Sequence, residues 1–270
     1  MSEQIISSRG RTWFEVLSAG GTKIAGLAGS VLAADKLIGS MPARLIAIVP
    51  DAANRFPRAA RGEVGLLEGW NVARVVREVI AADQDQTTKR AIIAIVDVPS
   101  QAYGRREEAY GIHQALAAAG GAYASARLAG HPVVALIVGK AMSGGFLAHG
   151  YQANRLIAFN DPGVVVHAMN KAAAARITLR SVEELEALAE KVPPMAYDIR
   201  NYATLGLLWK LIDISAPECP SNADLATAQD ALLAAIADIA QSPRDLSGRL
   251  HAKNRQASRH VRELLRAQWQ

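Results

Sequence analysis

A short glycine-containing turn between an apolar stretch and a helix is the part of this chain best suited to chemistry. The apolar run VVALIV reads as a strand that breaks at Gly139, and the chain resumes as a helix around Ser143, Gly144 and Gly145. Glycines let a ligand approach the backbone closely, and the first N–H groups of a helix have no partner inside the helix and lie at the positive end of its dipole. The turn therefore predicts a site for an anionic oxygen, such as a carbonyl oxygen that gains charge during a reaction.

A second turn of the same kind follows another apolar run. The strand-like Ala91–Val98 ends in the loop 99–104, which holds Gln101 and Tyr103 before a helix begins at Arg105. If this strand and the strand before Ser143 are parallel neighbours, their C-terminal ends lie side by side and both turns face one crevice. A glycine pair alone is also typical of close helix–strand packing, so the second loop is what favours a ligand site here.

Alternating apolar and helical stretches surround the two loops. Short apolar runs without polar alternation, separated by helices, indicate parallel strands that are buried on both faces. The right-handed crossovers of such a sheet put every strand-to-helix loop at one edge. The predicted strands are 45–49, 91–98, 133–138 and 156–159, and the predicted helices between them are 62–82, 105–129 and one that begins at Gly144.

The second part of the chain is predicted to be helical. Helices are expected at 168–177, at 182–191, after Pro193-Pro194, at 222–240 and at 246–269. Ser181, with Glu184 three residues later, has the spacing of a capping box. We predict a single domain over residues 1–270 in which 178–270 is mainly helical, and the piece 20–39 carries little diagnostic pattern.

The composition limits the class of protein. Half of the 270 residues are apolar and a fifth are charged, which predicts a globular protein with a full core. Neither a secretory leader nor an apolar run of membrane length is found, so we expect a cytoplasmic protein with no membrane partner. Cys219 is the only cysteine, which excludes an internal disulfide, and the six histidines lack ligand spacing, so no metal site is predicted.

The positive charge is concentrated near the C-terminal end. The net charge is +5, and residues 242–270 alone carry seven Lys and Arg side chains against two carboxylates. A basic helix of this kind either contacts an acidic or phosphate-bearing partner or forms a solvated face. No nucleic-acid-binding motif accompanies it, and Trp269 is its only aromatic residue, so we expect no nucleic-acid partner.

Two motifs in order make the chain resemble a known family. The run IVDVPSQAYGRREE begins at Ile95 and is followed by Gly111, and GKAMSGGFLAHG occupies 139–150. Together they resemble the acyl-CoA carboxyltransferases of the crotonase superfamily, and among these the gamma subunits of malonate decarboxylase. The resemblance implies an α/β fold with a crotonase-like ββα spiral core and a helical C-terminal extension.

The resemblance also implies a reaction. Gamma subunits of this kind act with a beta subunit to convert a malonyl group on an acyl carrier protein to acetyl, with release of CO2 through a thioester enolate. We therefore expect a carboxy-lyase subunit that binds no cofactor directly, because its substrate is carried on the phosphopantetheine-type arm of the carrier protein. The expected partners are the beta subunit, in a heterodimer or larger assembly, and the acyl carrier protein. Residues 206–211 and the basic last helix are the predicted contact surfaces.

The resemblance assigns roles within the two loops. The N–H groups of Gly144 and Gly145 are implied to hold the enolate oxygen, with loop 101–104 as the opposite wall. The predicted catalytic residues are Gly144, Gly145, Ser143, Tyr103 and Gln101, the last two as polar groups for a carboxylate or a water. The predicted substrate contacts are Ser100, Ala102, Gly104, Met142 and His149. For His149 two interpretations stay open, an imidazole near the glycine amides or a ring that fills the packed face of the helix.

The same turn permits other chemistry. AMSGG nearly matches the G-x-S-x-G turn of α/β-hydrolases, in which Ser143 is the nucleophile and Asp161 or Asp213 and His167 or His251 follow in the required order. Ala141 replaces the first glycine of that motif, however, and Ser143 is also suited simply to cap the helix. Transfer of the carboxyl group to biotin is a further alternative, although this chain has no biotinyl-lysine motif and no zinc ribbon. The last alternative is that the chain has no catalytic role and serves only in the assembly of a complex.

Overall fold

Residues 8–269, which the computed structural model describes, form a mixed eight-stranded sheet covered by helices. The strands are β1 Thr22–Lys23, β2 Val31–Ile38, β3 Met41–Ile48, β4 Ala91–Val98, β5 Val133–Met142, β6 Arg155–Phe159, β7 Val165–His167 and β8 Lys210–Ile212. The helices are α1 Arg9–Ser18, α2 Leu66–Ala82, α3 Arg105–Ala109, α4 Ile112–Leu128, α5 Ser143–Ala148, α6 Lys171–Ile177, α7 Val182–Ala189, α8 Ile199–Ala203, α9 Asn222–Ala240 and α10 Gln256–Gln268. The sheet order is β1-β2-β3-β4-β5-β6-β8, and β7 pairs with the end of β5.

The centre of the sheet is parallel, as the apolar runs predict. β3, β4, β5, β6 and β8 pair in parallel one after another. Every residue of β4 is buried, and so is every residue of β5 except Lys140, which is partly exposed. Each aliphatic side chain buried there stabilises the fold by about 1.5–3 kcal/mol. A strand covered on both faces needs no polar alternation, which explains its continuous apolar sequence.

An antiparallel hairpin occupies the glycine-rich piece that carries little pattern. β2 pairs antiparallel with both β1 and β3, and Ile38 faces Met41 across a tight turn in which Gly39 has φ +58°. Partly buried and buried positions do not alternate strictly along β2, so the period of two that marks a strand is blurred. The hairpin supplies the two strands that precede the first crossover helix, α2.

Two helix predictions are wrong in extent, for different reasons. The stretch 105–129 is interrupted at Gly111, whose φ of +81° ends α3 and begins α4. The stretch 246–269 begins with short 3-10 turns and becomes α-helical only at Gln256. The buried Arg249 donates from Nη1 to the carbonyl of Tyr151 at 2.7 Å and from Nη2 to that of Ala153, which holds the chain against the body of the protein and prevents one straight helix.

One helix lies outside the predicted elements. α1 packs on β3, β4 and β5, and its Trp13 is fully buried with its ring 4.6 Å from that of Phe159 in an edge-to-face contact. Trp13 Nε1 donates to the carbonyl of Pro217 at 2.8 Å, so the indole is satisfied although it is buried. In the described part of the chain, no helix is both long enough and apolar enough to cross a membrane.

Candidate active site

The register of the two central strands brings the two loops together, as predicted. β4 and β5 pair in parallel from Ile92 opposite Val133 to Val98 opposite Ala141, so both strands end at one edge of the sheet. The loops then touch directly. A Cβ added to Gly145 lies 2.4 Å from the carbonyl oxygen of Ser100, which means that the α5 backbone rests on the other loop. Only glycine permits this approach.

A β-bulge at the end of β5 sets the direction in which the chain enters the turn at Ser143. Between Val96 and Val98 the partner residues advance from Ile137 to Ala141, so β5 has extra residues at this point. Asp97, which is buried, accepts the Lys140 N–H at 3.0 Å through Oδ1. Its Oδ2 accepts the Gly10 N–H at 3.0 Å, which joins the start of α1 to the same place. A carboxylate that receives two backbone N–H groups therefore holds the irregular strand and the first helix in position.

The short segment before α2 fixes the loop that follows β4. Val64 bridges to Gln101 in parallel, with the Val64 N–H donating to the Ser100 carbonyl at 3.0 Å and the Ala102 N–H donating to the Val64 carbonyl at 2.7 Å. The fully buried Glu68 in turn accepts the Gly65 N–H at 3.0 Å. Sequence reasoning missed this support. A glycine with Glu68 three residues on, just before an apolar helix, is the capping signal that could have found it.

The backbone N–H of Gly144 already has an oxygen as its hydrogen-bond acceptor. Its N–H donates to Oε1 of the Gln101 side chain at 2.8 Å, across the line where the two loops meet. An amide oxygen that accepts this N–H occupies the kind of position that an anionic carbonyl oxygen requires. Gly144 and Gln101, two of the predicted catalytic residues, are thus in direct contact, and Gly145 lies next to them at the start of α5.

Ser143 has an unusual backbone conformation. Its φ of +56° lies in the left-handed region, which non-glycine residues adopt only where the surrounding structure compensates for the strain. The Ser143 hydroxyl donates to the Ala168 carbonyl and so ties α5 to the residue just after β7. The strand therefore turns sharply into the helix at Ser143, with the hydroxyl satisfied by a backbone acceptor.

Tyr103 lies at the rim of the crevice. Its side chain is exposed, and the Arg58 guanidinium lies 4.8 Å from the centre of the ring in a cation–π contact. Arg58 is itself paired with Glu63, so the ring is covered by a positioned cation. Ser100, Gln101 and Gly104 are partly exposed in the same loop, which keeps them available to a ligand.

Three of the predicted substrate contacts are buried. Ala102 is fully buried and Met142 nearly so. His149 is also fully buried, with Nε2 3.0 Å from the Ile95 carbonyl and Nδ1 3.0 Å from the Tyr123 hydroxyl. Both ring nitrogens are therefore used inside the protein, Nε2 as a donor and Nδ1 as an acceptor. This placement favours the packing interpretation of His149, and the structure does not bring its ring into the crevice.

Comparison with known proteins identifies the family. The family model for the malonate decarboxylase gamma subunit matches residues 59–269, which include both loops and the supporting segment. The chain belongs to the malonate decarboxylase gamma subunit family. The resemblance seen in the sequence is thereby confirmed.

Solved and curated relatives of this gamma subunit agree with that placement. It is 63% identical, with a TM-score of 0.93, to a chain of a Pseudomonas malonate decarboxylase hetero-tetramer in complex with coenzyme A, over 97% of this chain and 100% of that one. It is 59% identical, with a TM-score of 0.89, to a chain of the Pseudomonas MdcD–MdcE hetero-dimer, over 97% and 99% of the two chains.

A curated relative carries a different activity in its name. Over 180 residues this gamma subunit is 37% identical to the malonyl-S-ACP:biotin-protein carboxyltransferase of Malonomonas rubra, covering 65% of this chain and 62% of that protein. It therefore spans less than two thirds of the curated relative that it matches. The fold is shared with a more distant protein, transcarboxylase 12S. The two chains are 18% identical, with a TM-score of 0.65, over 88% of this chain and 42% of that one. The expected crotonase-like carboxyltransferase fold is confirmed.

The residues needed for a serine hydrolase do not assemble in this gamma subunit. Asp161 pairs with Arg9 at 2.6 Å, and Asp213 accepts an N–H of Asn160 at 2.7 Å. His251 is exposed near the start of the basic C-terminal segment. His167 lies on β7 near the turn, but its Nδ1 contacts the Met169 carbonyl at 3.1 Å and its ring forms no hydrogen bond with Ser143. The Ser143 hydroxyl donates to a backbone carbonyl and not to an imidazole, whereas a nucleophilic serine needs a base within hydrogen-bond reach.

The buried His149 makes stability depend on pH. Burial lowers the pKa of His149 to about 4, because the imidazolium is poorly solvated there. The unfolded chain binds the proton at about pH 6.5, so the neutral ring stabilises the fold above that pH. That contribution, about 3 kcal/mol, is lost as the pH falls from 6.5 towards 4.

We therefore expect unfolding free energies from urea titrations at pH 7 and pH 4.5 to differ less in His149→Gln than in the natural protein. His113→Gln, which changes an exposed histidine, is the matched control and is expected to keep the full difference. An identical pH dependence in the His149 variant and the natural protein contradicts the assignment of a neutral buried imidazole.

Proposed function

We propose that this chain is the subunit of a malonate decarboxylase that stabilises the enolate of a malonyl thioester carried on an acyl carrier protein. The observation that carries the proposal is the Gly144 N–H, which lies where the two loops meet and already donates to an amide oxygen, Gln101 Oε1. The products are an acetyl thioester and CO2. The subunit binds no cofactor directly, since the phosphopantetheine-type arm belongs to the carrier protein.

The chemistry requires little from side chains. When the malonyl carboxylate lies out of the plane of the thioester, cleavage of the C–C bond releases CO2 and leaves its electron pair in the enolate. The carbonyl oxygen of the thioester then carries the negative charge and accepts the N–H groups of Gly144 and Gly145 once the Gln101 side chain has moved away. A preorganised donor of this type stabilises the transition state by about 3–4 kcal/mol. One proton added to the carbon completes the acetyl group.

A beta subunit is proposed to complete the site. This chain supplies one pair of N–H donors, and the Tyr103 ring beside them is exposed. The similar Pseudomonas chains occur in a hetero-dimer and a hetero-tetramer, which supports an assembly of unlike subunits here as well.

The direct test is CO2 release from malonyl carrier protein. The chain is assayed alone and then mixed with its beta subunit, each with and without excess avidin. We expect release only from the mixture, with no effect of avidin. Absence of release from every mixture contradicts the proposed decarboxylase function.

Carboxyl transfer to biotin is the second candidate. The name of the Malonomonas relative, a malonyl-S-ACP:biotin-protein carboxyltransferase, favours it. Both reactions share the enolate and differ only in whether CO2 is released or handed to biotin. The avidin arm separates them, because release that avidin blocks requires a biotin-carrying partner.

Ser143→Ala separates enolate chemistry from hydrolysis. The change removes the hydrogen bond from Ser143 to the Ala168 carbonyl, a loss of about 1 kcal/mol of stability, and leaves the backbone donors of α5 in place. We expect the complex to keep CO2 release within about tenfold of the natural rate, since the proposed donors are backbone N–H groups. A hydrolase loses nearly all activity with its nucleophile. Loss of that size in Ser143→Ala favours the hydrolase hypothesis.

The exposed α10 is proposed to dock the carrier protein. None of its residues is buried, and Val261, Leu264 and Leu265 expose one apolar face. An isolated helix of 13 residues is only marginally stable in water, so a partner is expected to cover it. A row of arginines runs beside the apolar face and suits an acidic surface, namely Arg255, Arg259, Arg262 and Arg266.

We expect Arg262→Glu to raise the KM for malonyl carrier protein several-fold and to leave the turnover of a malonyl pantetheine thioester unchanged. Reversal of a charge at the edge of an interface mainly slows association, and the effect should shrink as salt is added. Arg77→Glu on α2 makes the same charge change at another exposed site and is the matched control. Equal KM values for the two variants contradict docking through α10.

A further inference from the structure

His167, at the end of β7, lies beside the turn that is proposed to hold the enolate oxygen. β7 pairs in parallel with the end of β5, and His167 is opposite Met142, the residue just before Ser143. Neighbouring strands lie about 4.8 Å apart, so the His167 backbone is one strand spacing from the start of the turn. The hydroxyl of Ser143 donates to the carbonyl of Ala168, which ties the two segments together.

The orientation of the His167 ring is fixed from two sides. Nδ1 lies 3.1 Å from the carbonyl oxygen of Met169 and 3.3 Å from the backbone nitrogen of the same residue. We assign the Nδ1 proton to the shorter contact, as a hydrogen bond donated to the carbonyl. The ring of Tyr197 stacks on the imidazole at 3.9 Å with 13° between the planes. Tyr197 is held in turn by the Val166 N–H, which donates to its carbonyl at 2.9 Å, and by a bridge between Val165 and Asp198.

The second ring nitrogen is available. No group within residues 8–269 forms a hydrogen bond with Nε2 of His167, and the residue is half-buried. With the proton on Nδ1, Nε2 carries the lone pair in the neutral ring and an N–H in the protonated ring. An oriented imidazole whose outer nitrogen has no partner can exchange a proton with a bound ligand.

We propose that His167 is the proton donor that converts the enolate carbon into the methyl group of the acetyl product. This inference rests on the proposed decarboxylase function. The Nε2–H bond of the imidazolium breaks and a C–H bond forms with the electron pair of the enolate, which restores the thioester carbonyl. The neutral imidazole then takes a proton from water. Tyr197 acts as a positioning residue, because it stacks on the His167 ring and is given no contact with the substrate.

The charged groups around the ring do not hold it permanently protonated. The Lys171 ammonium lies 5.5 Å from the centre of the Tyr197 ring and pairs with the Glu186 carboxylate at 2.6 Å. Two further charged residues are near the ring in the chain: Lys140 is opposite Val165 on the neighbouring strand, and Asp198 follows Tyr197. Burial lowers the pKa of His167 below its ordinary value. The neutral ring therefore predominates at pH 7, and it takes up a proton before each transfer.

The test uses the reverse of the proton transfer. The complex of this chain with its beta subunit is incubated with acetyl carrier protein in D2O, and deuterium in the acetyl group is followed by mass spectrometry. The neutral His167 must then remove a proton from the acetyl carbon. The exchange rate of the natural complex is therefore expected to fall as the pH drops through the pKa of His167.

His167→Gln is expected to slow the exchange at least ~10²-fold and to abolish that decline at low pH. His113→Gln, on an exposed face of α4, should behave like the natural protein. His167→Ala should regain exchange when free imidazole is added. Circular dichroism and binding to the beta subunit check that the His167 variants are folded and assembled.

Three outcomes overturn the proposal. The first is a near-natural exchange rate in His167→Gln, and the second is slow exchange in His167→Gln whose rate still declines at low pH. The third is CO2 release by a natural complex that shows no exchange. In each case malonyl carrier protein still yields CO2 with the natural complex, so the proposed function stands. Absence of CO2 release from the natural complex is the separate result that removes the function itself, and this assignment with it.

Discussion

Gly145→Val is expected to reduce CO2 release by the complex at least ~10²-fold. A Cβ at this position lies 2.4 Å from the Ser100 carbonyl oxygen and 2.8 Å from its carbon, and valine adds two methyl groups beyond that. Because backbone and not a flexible side chain is in the way, the two loops must separate. A displacement of about 1 Å at reacting groups can cost this much in rate, and overpacking costs about 1–3 kcal/mol of stability.

The measurement is CO2 release together with the urea midpoint of the same preparation. Gly121→Ala is the matched control, since among residues 8–269 no atom beyond the neighbouring helix backbone lies within 4 Å of the added Cβ, and alanine favours the helix there. The control should keep its activity and gain a little stability. A Gly145→Val complex that releases CO2 at the natural rate contradicts the close contact between the loops as a requirement for activity.

Asp97→Ala is expected to lower the free energy of unfolding by about 2–6 kcal/mol. The change leaves the N–H groups of Gly10 and Lys140 without the carboxylate that each reaches at 3.0 Å, and an unsatisfied buried donor costs about 1–3 kcal/mol. The bulge at the end of β5 loses its support as well, so CO2 release should also fall. Asp97→Asn keeps one acceptor oxygen and is expected to lose about half as much stability.

Urea unfolding of the separate chain measures the effect of the Asp97 substitutions on the free energy of unfolding. Asp230→Ala on the exposed side of α9 removes a carboxylate that forms no hydrogen bond with residues 8–269, and it should change stability by no more than about 0.5 kcal/mol. If Asp97→Ala is as stable as this control, the carboxylate does not hold the bulge, and the position of the turn needs another explanation.

The central strands were predictable because their signal is local. β4 and β5 are buried on both faces, so their sequences are continuous apolar runs, and each is followed by the polar and glycine residues of a turn. Parallel pairing of the two strands then follows from the helix between them, and with it the meeting of the two loops. The acidic Asp97 within one of these runs is the one residue that signals an irregularity there, since a buried carboxylate must have partners.

The elements that were missed lack such a signal. The signals of β1 and β2 are masked by glycines and by irregular burial, and β7 and β8 are only three residues long. The break of the C-terminal helix depends on Arg249 contacting carbonyls about one hundred residues earlier, which no local pattern encodes. His149 shows the same limit, because its burial depends on Tyr123 and Ile95 and not on its place just after α5.

The sequence by itself determined the parallel α/β core, the order of the two loops and the resemblance to the family, because strand burial and turn composition are properties of neighbouring residues. Only the tertiary structure decided that Gln101 lies on the Gly144 amide, that Ser143 is left-handed and bonded to Ala168, and that His167 lies one strand from the turn. These relations join residues 25 to 43 positions apart in the chain. They depend on the register and bulge of the sheet, which are set by the packing of the whole core.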